Sequence, residues 1–481
     1  MTPPPACDAL FESRVTATGP GVSIDLTVLA DPLSPEIGAG LWHAGHDLAD
    51  LVASVPGDWL RKQCVLELGA GVGLPGLAAA CLGAAAVTLT DRAAALPLLR
   101  LNVDANKDAI DDRGGRAPAV EALDWGDPGA AGDAARRAAP TLVLAADVAY
   151  DADAWPGLIR TLVACLRRSP AAQAWLALPA RAESAAFLPA LAAAGAASRP
   201  LRACAPREPG AAAVRVHQVW MKMKKEGRGA TTRSLALLDY DWTLIEANSD
   251  TVIIDMLGAR PTLDAALAGG EGWTGAVAAA LAAGCGAAGE RARECVQAAA
   301  AAGPMADPVA ALLRRMAGDG GSTAVIISDA NTLFIAAGLA AASASVGATV
   351  TNPAVFDGGG VLRLRPLCGP GGAEPAHGCA DCPPNLCKGR AAERLLVTHP
   401  GGPPDVLVVA GDGANDACSA ARAGVGDFVF ARTAYPDGRP ARLGTLFKEG
   451  RDGGPLVTHW AAPGELAAGL EAALWGERGG D

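Results

Sequence analysis

The sequence predicts an α/β protein made of two Rossmann-like three-layer domains, and three observations point there. Apolar runs repeatedly end in a carboxylate or a hydroxyl: Cys64–Glu67, Val87–Asp91 and Thr141–Asp147 early in the chain, then Leu235–Asp239, Ala324–Ser328 and Val406–Asp412. That is the pattern of buried parallel strands presenting their C-terminal edge to a ligand. The two sets are separated by a basic, Gly- and Thr-containing stretch, Lys222–Arg233, without apolar period, which reads as a linker. Finally, 481 residues exceed what one core organises, so two or three domains are expected.

Composition narrows the classes. Half the residues are apolar and 19% are charged, which fits a globular chain rather than a disordered one. Alanine and glycine dominate while aromatics are only 4%, so helices are easy to assign and core positions hard. A net charge of -11 argues against a general nucleic-acid binder. No basic start followed by an apolar run opens the chain, and the twelve cysteines are scattered, so free thiols in a reduced, cytoplasmic setting are expected. No apolar stretch reaches spanning length, so no membrane segment is expected.

Residues 1–34 carry several prolines and read as a loose arm or an edge hairpin. Residues 35–225 form the first expected domain. Cys64-Val-Leu-Glu67-Leu-Gly69-Ala-Gly71-Val-Gly73 is a strand and a glycine-rich turn ahead of an apolar helix, and Val87–Asp91 is a second strand ending in an acid suited to a ribose hydroxyl. A dinucleotide site is one reading. Glu67, however, is poorly placed for a pyrophosphate and better for an amino-bearing ligand such as S-adenosyl-L-methionine. Leu123-Asp-Trp125-Gly places an aromatic where it can lie on an adenine, and Thr141–Asp147 leads to Tyr150.

Together, Trp42, the E-x-G-x-G-x-G loop, Thr90-Asp91, the L-x-W-G segment and the D-x-x-Y at Asp147–Tyr150 resemble methyltransferase family 16. These are seven-strand S-adenosylmethionine-dependent enzymes that include many protein-lysine methyltransferases. The resemblance implies that Glu67, Gly69, Gly71 and Asp91 cradle the methionine and ribose, with Trp42 and Ala146 also at the cofactor. It implies that Trp125 flanks the adenine and that Asp147 and Tyr150 border the methyl acceptor, a protein lysine that must be neutral to attack.

The second expected domain, 234–481, follows a linker at 226–233. Asp239 and Asp241 are two apart, so on an extended segment they face one volume, where two anions need a cation or a shared proton. Mg²⁺ is the usual answer for a phosphate substrate. Ser328 ends one later strand, Lys388 sits in Asn385-Leu-Cys-Lys-Gly, and Gly411-Asp412-Gly-Ala-Asn415-Asp416 ends another. The order D-x-D-x-T, Ser, Lys, G-D-G-x-N-D resembles the haloacid dehalogenase superfamily of phosphohydrolases. It implies Asp239 as nucleophile, Asp241 as acid and base, and Ser328 and Lys388 on the phosphoryl oxygens. Mg²⁺ is implied on Asp239, Asp412 and the carbonyl of Asp241, with Asp416 bonded to the metal or to one of its partners.

Glu246-x-Asn-Ser-Asp250, Ile327–Thr332, Thr351-Asn-Pro, Leu364-Arg-Pro and His377–Lys388 narrow the resemblance to the phosphoethanolamine/phosphocholine phosphatase family, which includes a pyridoxal-phosphate phosphatase. That implies a small phosphomonoester as substrate, with Asp250 and Asp329, joined by Asn331, around an ammonium headgroup; Glu246 and Trp273 are further candidates. Residues 252–320, Ala-rich and helical, are expected to cap the site. Cys379, Cys382 and Cys387, with His377 nearby, read either as a zinc site or as a structured loop with free thiols.

The resulting expectation is a two-enzyme fusion. The alternatives are a pyridoxal-phosphate or pyrophosphate phosphatase with the first half a regulatory scaffold, or a first half that methylates phosphoethanolamine.

Overall fold

The computed structural model describes residues 10–31, 34, 37–222, 232–289, 291–448 and 454–476. The expected linker at 226–233 and the start of the expected arm, 1–9, lie outside them except at 232 and 233. The chain divides into two compact units, Met1–Lys225 with Arg394–Pro403, and Glu226–Glu393 with Pro404–Asp481.

In the first unit the arm region is a hairpin, β1 (Phe11–Gly19) and β2 (Val22–Ala30). Ile24, Leu26 and Val28 alternate inward and are buried. Asn102 and Asn106, one turn apart on the helix Leu96–Ala105 and at its C-cap, hold the hairpin through its backbone: Asn102 Oδ1 accepts from Leu29 N at 2.6 Å and Asn106 Oδ1 from Thr27 N at 2.8 Å. Two amides thus satisfy an edge that would otherwise expose unpaired strand groups.

The sheet behind it contains β3 (Cys64–Leu68), β4 (Ala86–Asp91), β5 (Ala119–Ala122), β6 (Leu142–Ala146), β7 (Gln173–Pro179), β8 (Ala196–Cys204) and β9 (Val214–Met221). Their order is β5-β4-β3-β6-β7-β9-β8. The first five run parallel, and β9 is antiparallel to β7 and to β8. Sequence reading finds most of these but misses β8. Pro200 breaks its pattern, and the register shifts between Pro200 and Arg202, which an edge strand tolerates.

The second unit is a six-stranded parallel sheet: β10 (Ser234–Leu238), β11 (Ser322–Asn331), β12 (Ala348–Asn352), the small antiparallel hairpin β13 (Ala354–Phe356) and β14 (Leu362–Leu364) apart from it, then β15 (Val406–Gly411), β16 (Phe428–Arg432) and β17 (Leu456–Trp460). The sheet order β12-β11-β10-β15-β16-β17 puts β10 between β11 and β15. The C-terminal ends of these three strands therefore converge, with β10 paired to both in parallel register.

The cap is shorter than the sequence suggests. The helices Ser249–Met256, Arg260–Ala268, Trp273–Ala288 and Arg291–Ala302 share a separate core with Phe334, Ala354 and Leu362. The next helix, Asp307–Asp319, buries Val309, Leu312, Leu313 and Met316 in the core of the sheet, with Ile326 and Leu470. It has a strong apolar stripe, which is why it packs on the sheet and not in the cap. Among the described residues no helix is long and apolar enough to cross a membrane.

Candidate active sites

In the second unit, β10 delivers Asp239, whose N–H continues the ladder to Ala410 O at 3.0 Å. The strand stops there. Tyr240 O accepts from the N–H groups of Thr243, Leu244 and Ile245, and Trp242 takes φ 59°. Asp241 therefore sits in a tight turn rather than on an extended strand, and its Oδ1 accepts from Ser249 N at 3.0 Å. The expectation of two carboxylates facing alike on one strand is corrected: the chain is already folding back at the second. Burial, then the neighbouring Asp250, holds the Asp241 carboxyl well above its ordinary range.

Lys388 opens the helix Lys388–Val397 and is almost wholly buried. Its Nζ lies 2.9 Å from Asp239 Oδ2 and donates to Asp416 Oδ1 at 2.7 Å. Burial alone would lower its pKa, but Asp239, Asp416 and Asp329 outweigh it and keep the ammonium charged. Asp416 Oδ2 accepts from the N–H groups of Asp412 (3.1 Å) and Gly413 (2.9 Å), so it clamps the loop onto the lysine. With both oxygens so engaged, Asp416 orients its neighbours; the carboxylates of Asp239, Asp412 and Asp416 still lie within 4.8 Å of one another. These hard oxygen donors fit a Mg²⁺ ion. Burial and Asp239 push the Asp412 carboxyl up to about 6, and burial pushes Asp416 to about 8.

Ser328, on β11, is buried with its Oγ accepting from Ala330 N. Asp329 accepts from Asn385 Nδ2 at 3.0 Å and from Asn415 Nδ2. Asn331 caps the helix Thr332–Ala341 through Oδ1, accepting from Leu333 N and Phe334 N at 3.2 Å. Its Nδ2 and Asp250 Oδ1 are both buried without any other partner, and Asn331 acts on the Asp250 carboxyl to favour its ionised form. Asp250 Oδ2 accepts from Trp273 Nε1 at 3.1 Å. Burial pushes Asp250 up to about 7, with Asp329 adding to it and Trp273 opposing.

Glu246 does something different from what the sequence suggests. Its two oxygens take Arg432 Nη1 and Nη2 at 2.8 Å each. Arg432 is fully buried and comes from the end of β16, a strand without any recognisable motif. Sequence reasoning also misses Tyr435, whose hydroxyl donates to Asp412 Oδ2 at 2.7 Å and whose ring meets Trp242 edge-on. Three asparagines from the sequence motifs, Asn352, Asn385 and Asn415, join this network: Asn385 donates to Asn352 Oδ1 at 3.2 Å and, like Asn415, to Asp329.

In the first unit a cavity of about 620 Å³ opens at the C-terminal ends of β3, β4 and β6. Trp42, Glu67, Gly69, Gly71, Asp91, Trp125, Ala146, Asp147 and Tyr150 all line it. Gly69 has φ +61°, and a Cβ there would stand 3.0 Å from Val148 and 3.2 Å from the Trp125 ring, so only glycine leaves the cavity floor open. Asp91 Oδ2 accepts from Gly71 N at 2.8 Å, joining the second strand to the glycine loop. Glu67 is buried and its Oε2 accepts from Gly76 N at 2.8 Å, within the first turn of the helix Leu74–Cys81. Burial pushes it up to about 8. Asp147, at φ 53°, is paired with Arg181 through both oxygens at 3.1 and 3.2 Å. Arg181 also lines the cavity, and no motif marks it in the sequence. Trp42 and Tyr150 are large side chains left about half exposed at the rim.

Two family models match the chain: Putative Phosphatase over residues 234–442 and Lysine methyltransferase over residues 23–192. The phosphoethanolamine/phosphocholine phosphatase of Homo sapiens is 32% identical over 223 residues, 44% of this chain and 80% of that protein. The protein N-lysine methyltransferase METTL21A of Xenopus tropicalis is 36% identical over 129 residues, 26% of this chain and 54% of that protein. Inorganic pyrophosphatase 2 of Arabidopsis thaliana is 32% identical over 117 residues, 23% of this chain and 40% of that protein. The chain thus spans about half the length of the methyltransferase and less than half of the pyrophosphatase.

Proposed function

We propose a reaction for each half from one premise: the chain belongs to the Putative Phosphatase family and carries a lysine methyltransferase-family domain ahead of its haloacid-dehalogenase-type phosphatase. The second half, in this reading, is a Mg²⁺-dependent phosphomonoesterase for a small amino-alcohol phosphate such as phosphoethanolamine or phosphocholine. The observation that carries it is Lys388 Nζ held between Asp239 and Asp416 beside Asp412. An Asp239 oxygen attacks phosphorus, the bond to the leaving alcohol breaks, and Asp241 gives that alcohol its proton. The raised pKa of Asp241 supports this, because the acid must still carry its proton when the substrate binds. Asp241 then takes a proton from the water that attacks the aspartyl phosphate, which frees phosphate and restores Asp239. Lys388 and Ser328 hold the phosphoryl oxygens. Asp239, Asp412 and the carbonyl of Asp241 would hold Mg²⁺, which supplies charge neutralisation at the phosphoryl group when bound.

In this reading Asp250, Asp329 and Asn331 would meet the ammonium headgroup. Three carboxyls that desolvation raises, those of Asp241, Asp250 and Asp329, favour a cationic headgroup over a fully anionic substrate such as pyrophosphate. The test is phosphate release with Mg²⁺ from phosphoethanolamine, phosphocholine, pyridoxal phosphate and pyrophosphate. Release from the amino-alcohol esters that disappears in Asp239→Asn is expected. No release from any substrate, or release that survives the substitution, overturns the reading.

The first half is read as an S-adenosylmethionine-dependent methyltransferase acting on protein lysine. The glycine-floored cavity beside Asp91 and Trp125 supports a nucleoside-bearing ligand, and S-adenosylmethionine supplies the methyl group when bound. Gly69, Gly71 and Asp91 would hold it, Trp125 would flank the adenine, and Tyr150 stands at the rim for the acceptor. Calorimetry with S-adenosylhomocysteine is expected to show binding that weakens in Asp91→Ala, and labelled methyl transfer to peptides rather than to phosphoethanolamine. Binding without transfer to either would leave this half a regulatory scaffold and overturn the enzymatic reading.

A further inference from the structure

Cys379, Cys382 and Cys387 leave a metal site one donor short in the sequence. The fold supplies the fourth. Cys418, on the short helix Asp416–Ala420, brings its Sγ to 3.8 Å from that of Cys379 and 4.0 Å from that of Cys387. One sulfur from each of the four lies within 4.8 Å of the others. We propose that Cys379, Cys382, Cys387 and Cys418 form a tetrathiolate zinc site that fastens the lysine-bearing segment of the phosphatase centre to its acidic loop.

The distances distinguish this from disulfides. A sulfur pair in a disulfide is about 2.05 Å apart. Four sulfurs at about 2.3 Å from a tetrahedral zinc stand about 3.8 Å from each other, close to the 3.8 Å and 4.0 Å found from Cys418 to Cys379 and Cys387. An iron–sulfur cluster holds its cysteines further apart, because metal and sulfide atoms stand between them. His377 is not a competing donor. Its Nδ1 accepts from Cys379 N at 3.0 Å and its Nε2 contacts Pro383 O at 2.9 Å, so both ring nitrogens hold the loop in shape. The donor set is therefore sulfur alone, which selects zinc among common divalent ions.

The surroundings fit an anionic centre. Four thiolates around a dication leave two net negative charges. Arg390 N donates to Cys387 Sγ at 3.4 Å. Arg422 Nε is buried without a partner, and Arg422 acts electrostatically on Cys418. An unpaired Arg422 guanidinium N–H beside neutral thiols would be unexplained; beside a dianion it has a role. Gly389 lets the segments close: a Cβ there would fall 2.3 Å from Cys418 Sγ.

The position matters for the chemistry. Cys387 immediately precedes Lys388, and Cys418 lies two residues after Asp416, the carboxylate that receives the Lys388 proton donor. The metal thus ties together the two backbones whose side chains form that ion pair. Zinc binding stands apart from the proposed hydrolysis; only its effect on Lys388 rests on that reading.

The test is elemental analysis of the full chain purified under reducing conditions. One zinc per chain is expected, falling at least tenfold in Cys418→Ser and in Cys382→Ser and kept in Cys295→Ser and Asp239→Asn. Retention in Asp239→Asn separates this site from the phosphatase centre. Because the cysteine variants risk misfolding, metal-free wild-type protein is also titrated with Co²⁺. Thiolate-to-cobalt charge-transfer and tetrahedral ligand-field bands should saturate at one equivalent and vanish on adding Zn²⁺. No zinc and no such bands, iron at equivalence in place of zinc, or full zinc in Cys418→Ser would each overturn the proposal.

Discussion

Replacing Glu246 by Gln separates a structural role from a substrate-reading one. Glu246 directly follows the turn at Tyr240–Ile245, and the sequence pattern makes it a headgroup candidate. In the fold both its oxygens are taken by Arg432, which is fully buried, while the Glu246 side chain is 33% exposed. Gln keeps the volume and one acceptor, but its amide faces a guanidinium N–H and the buried cation loses its counter-charge. Breaking a fully buried pair costs about 3–5 kcal/mol, and water reaching the exposed partner brings this to about 2–3 kcal/mol. Arg432 also donates to the carbonyls of Trp242, Ala434 and Ala461, so the loss is confined to the carboxylate pair and the turn keeps its shape. For a unit of this size that predicts a fall of about 5–10 °C in its melting transition. Calorimetry of the full chain is the assay, the other unit's transition serving as internal reference. KM for phosphoethanolamine should stay within about twofold, since Glu246 is occupied elsewhere. An unmoved transition with a KM raised severalfold would refute the reasoning and return Glu246 to the substrate.

Three further outcomes follow from the same reading of partners. Trp273→Phe removes the donor that favours ionised Asp250, so its pKa should rise further above about 7 and the acid limb of kcat/KM for phosphoethanolamine should move to higher pH; an unmoved limb counts against Asp250 as the headgroup carboxylate. Glu67, pushed up to about 8 in the fold from an ordinary 4.5, binds more protons folded than unfolded between those values, so the first unit should lose stability as pH rises through that window; Glu67→Gln, which keeps an acceptor for Gly76 N, should flatten the dependence in denaturation at pH 6 and pH 9. Asn102→Leu removes the bonds to Leu29 N at 2.6 Å and Leu29 O at 2.9 Å, which should cost about 2–3 kcal/mol locally and speed hydrogen exchange in β2 while the central strands stay protected.

What the sequence makes legible is whatever one segment carries by itself. Apolar runs ending in acids mark β3, β4, β6, β10 and β15, because burial on both faces forces an unbroken apolar pattern. The edge strands β8 and β17 face water and show no such run. The cap boundary fails for a related reason: Ala-rich helices look alike, and only packing separates Asp307–Asp319 from its predecessors. In the sites, acids and glycines announce themselves, whereas their partners do not. Arg181, Arg432, Tyr435 and Cys418 are ordinary residues in one dimension, and each acquires its role from a strand or helix remote in sequence.

The proposed phosphatase centre holds six carboxyls, those of Asp239, Asp241, Asp250, Asp329, Asp412 and Asp416, and one ammonium in contact with two of them, Lys388. Such a site is short of positive charge, and burial has already raised Asp241, Asp250, Asp329, Asp412 and Asp416 above the ordinary carboxylate range. The deficit has two ends. At one, Asp239 and Asp412 stand close enough for a shared dication, and Tyr435 and Thr243 turn donors toward Asp412. At the other, a buried Asp250 oxygen has the Asn331 amide as its neighbour, and neither makes a further hydrogen bond. A dication held by Asp239 and Asp412 would answer the first end; Asp250 is not among the carboxylates grouped there. The proposed substrate, with phosphate at one terminus and an ammonium at the other, would answer both. Discrimination then follows from electrostatics: an ester lacking the cation leaves Asp250 to neutralise itself by protonation, so it binds at the cost of a proton taken up, and increasingly poorly as pH rises above about 7.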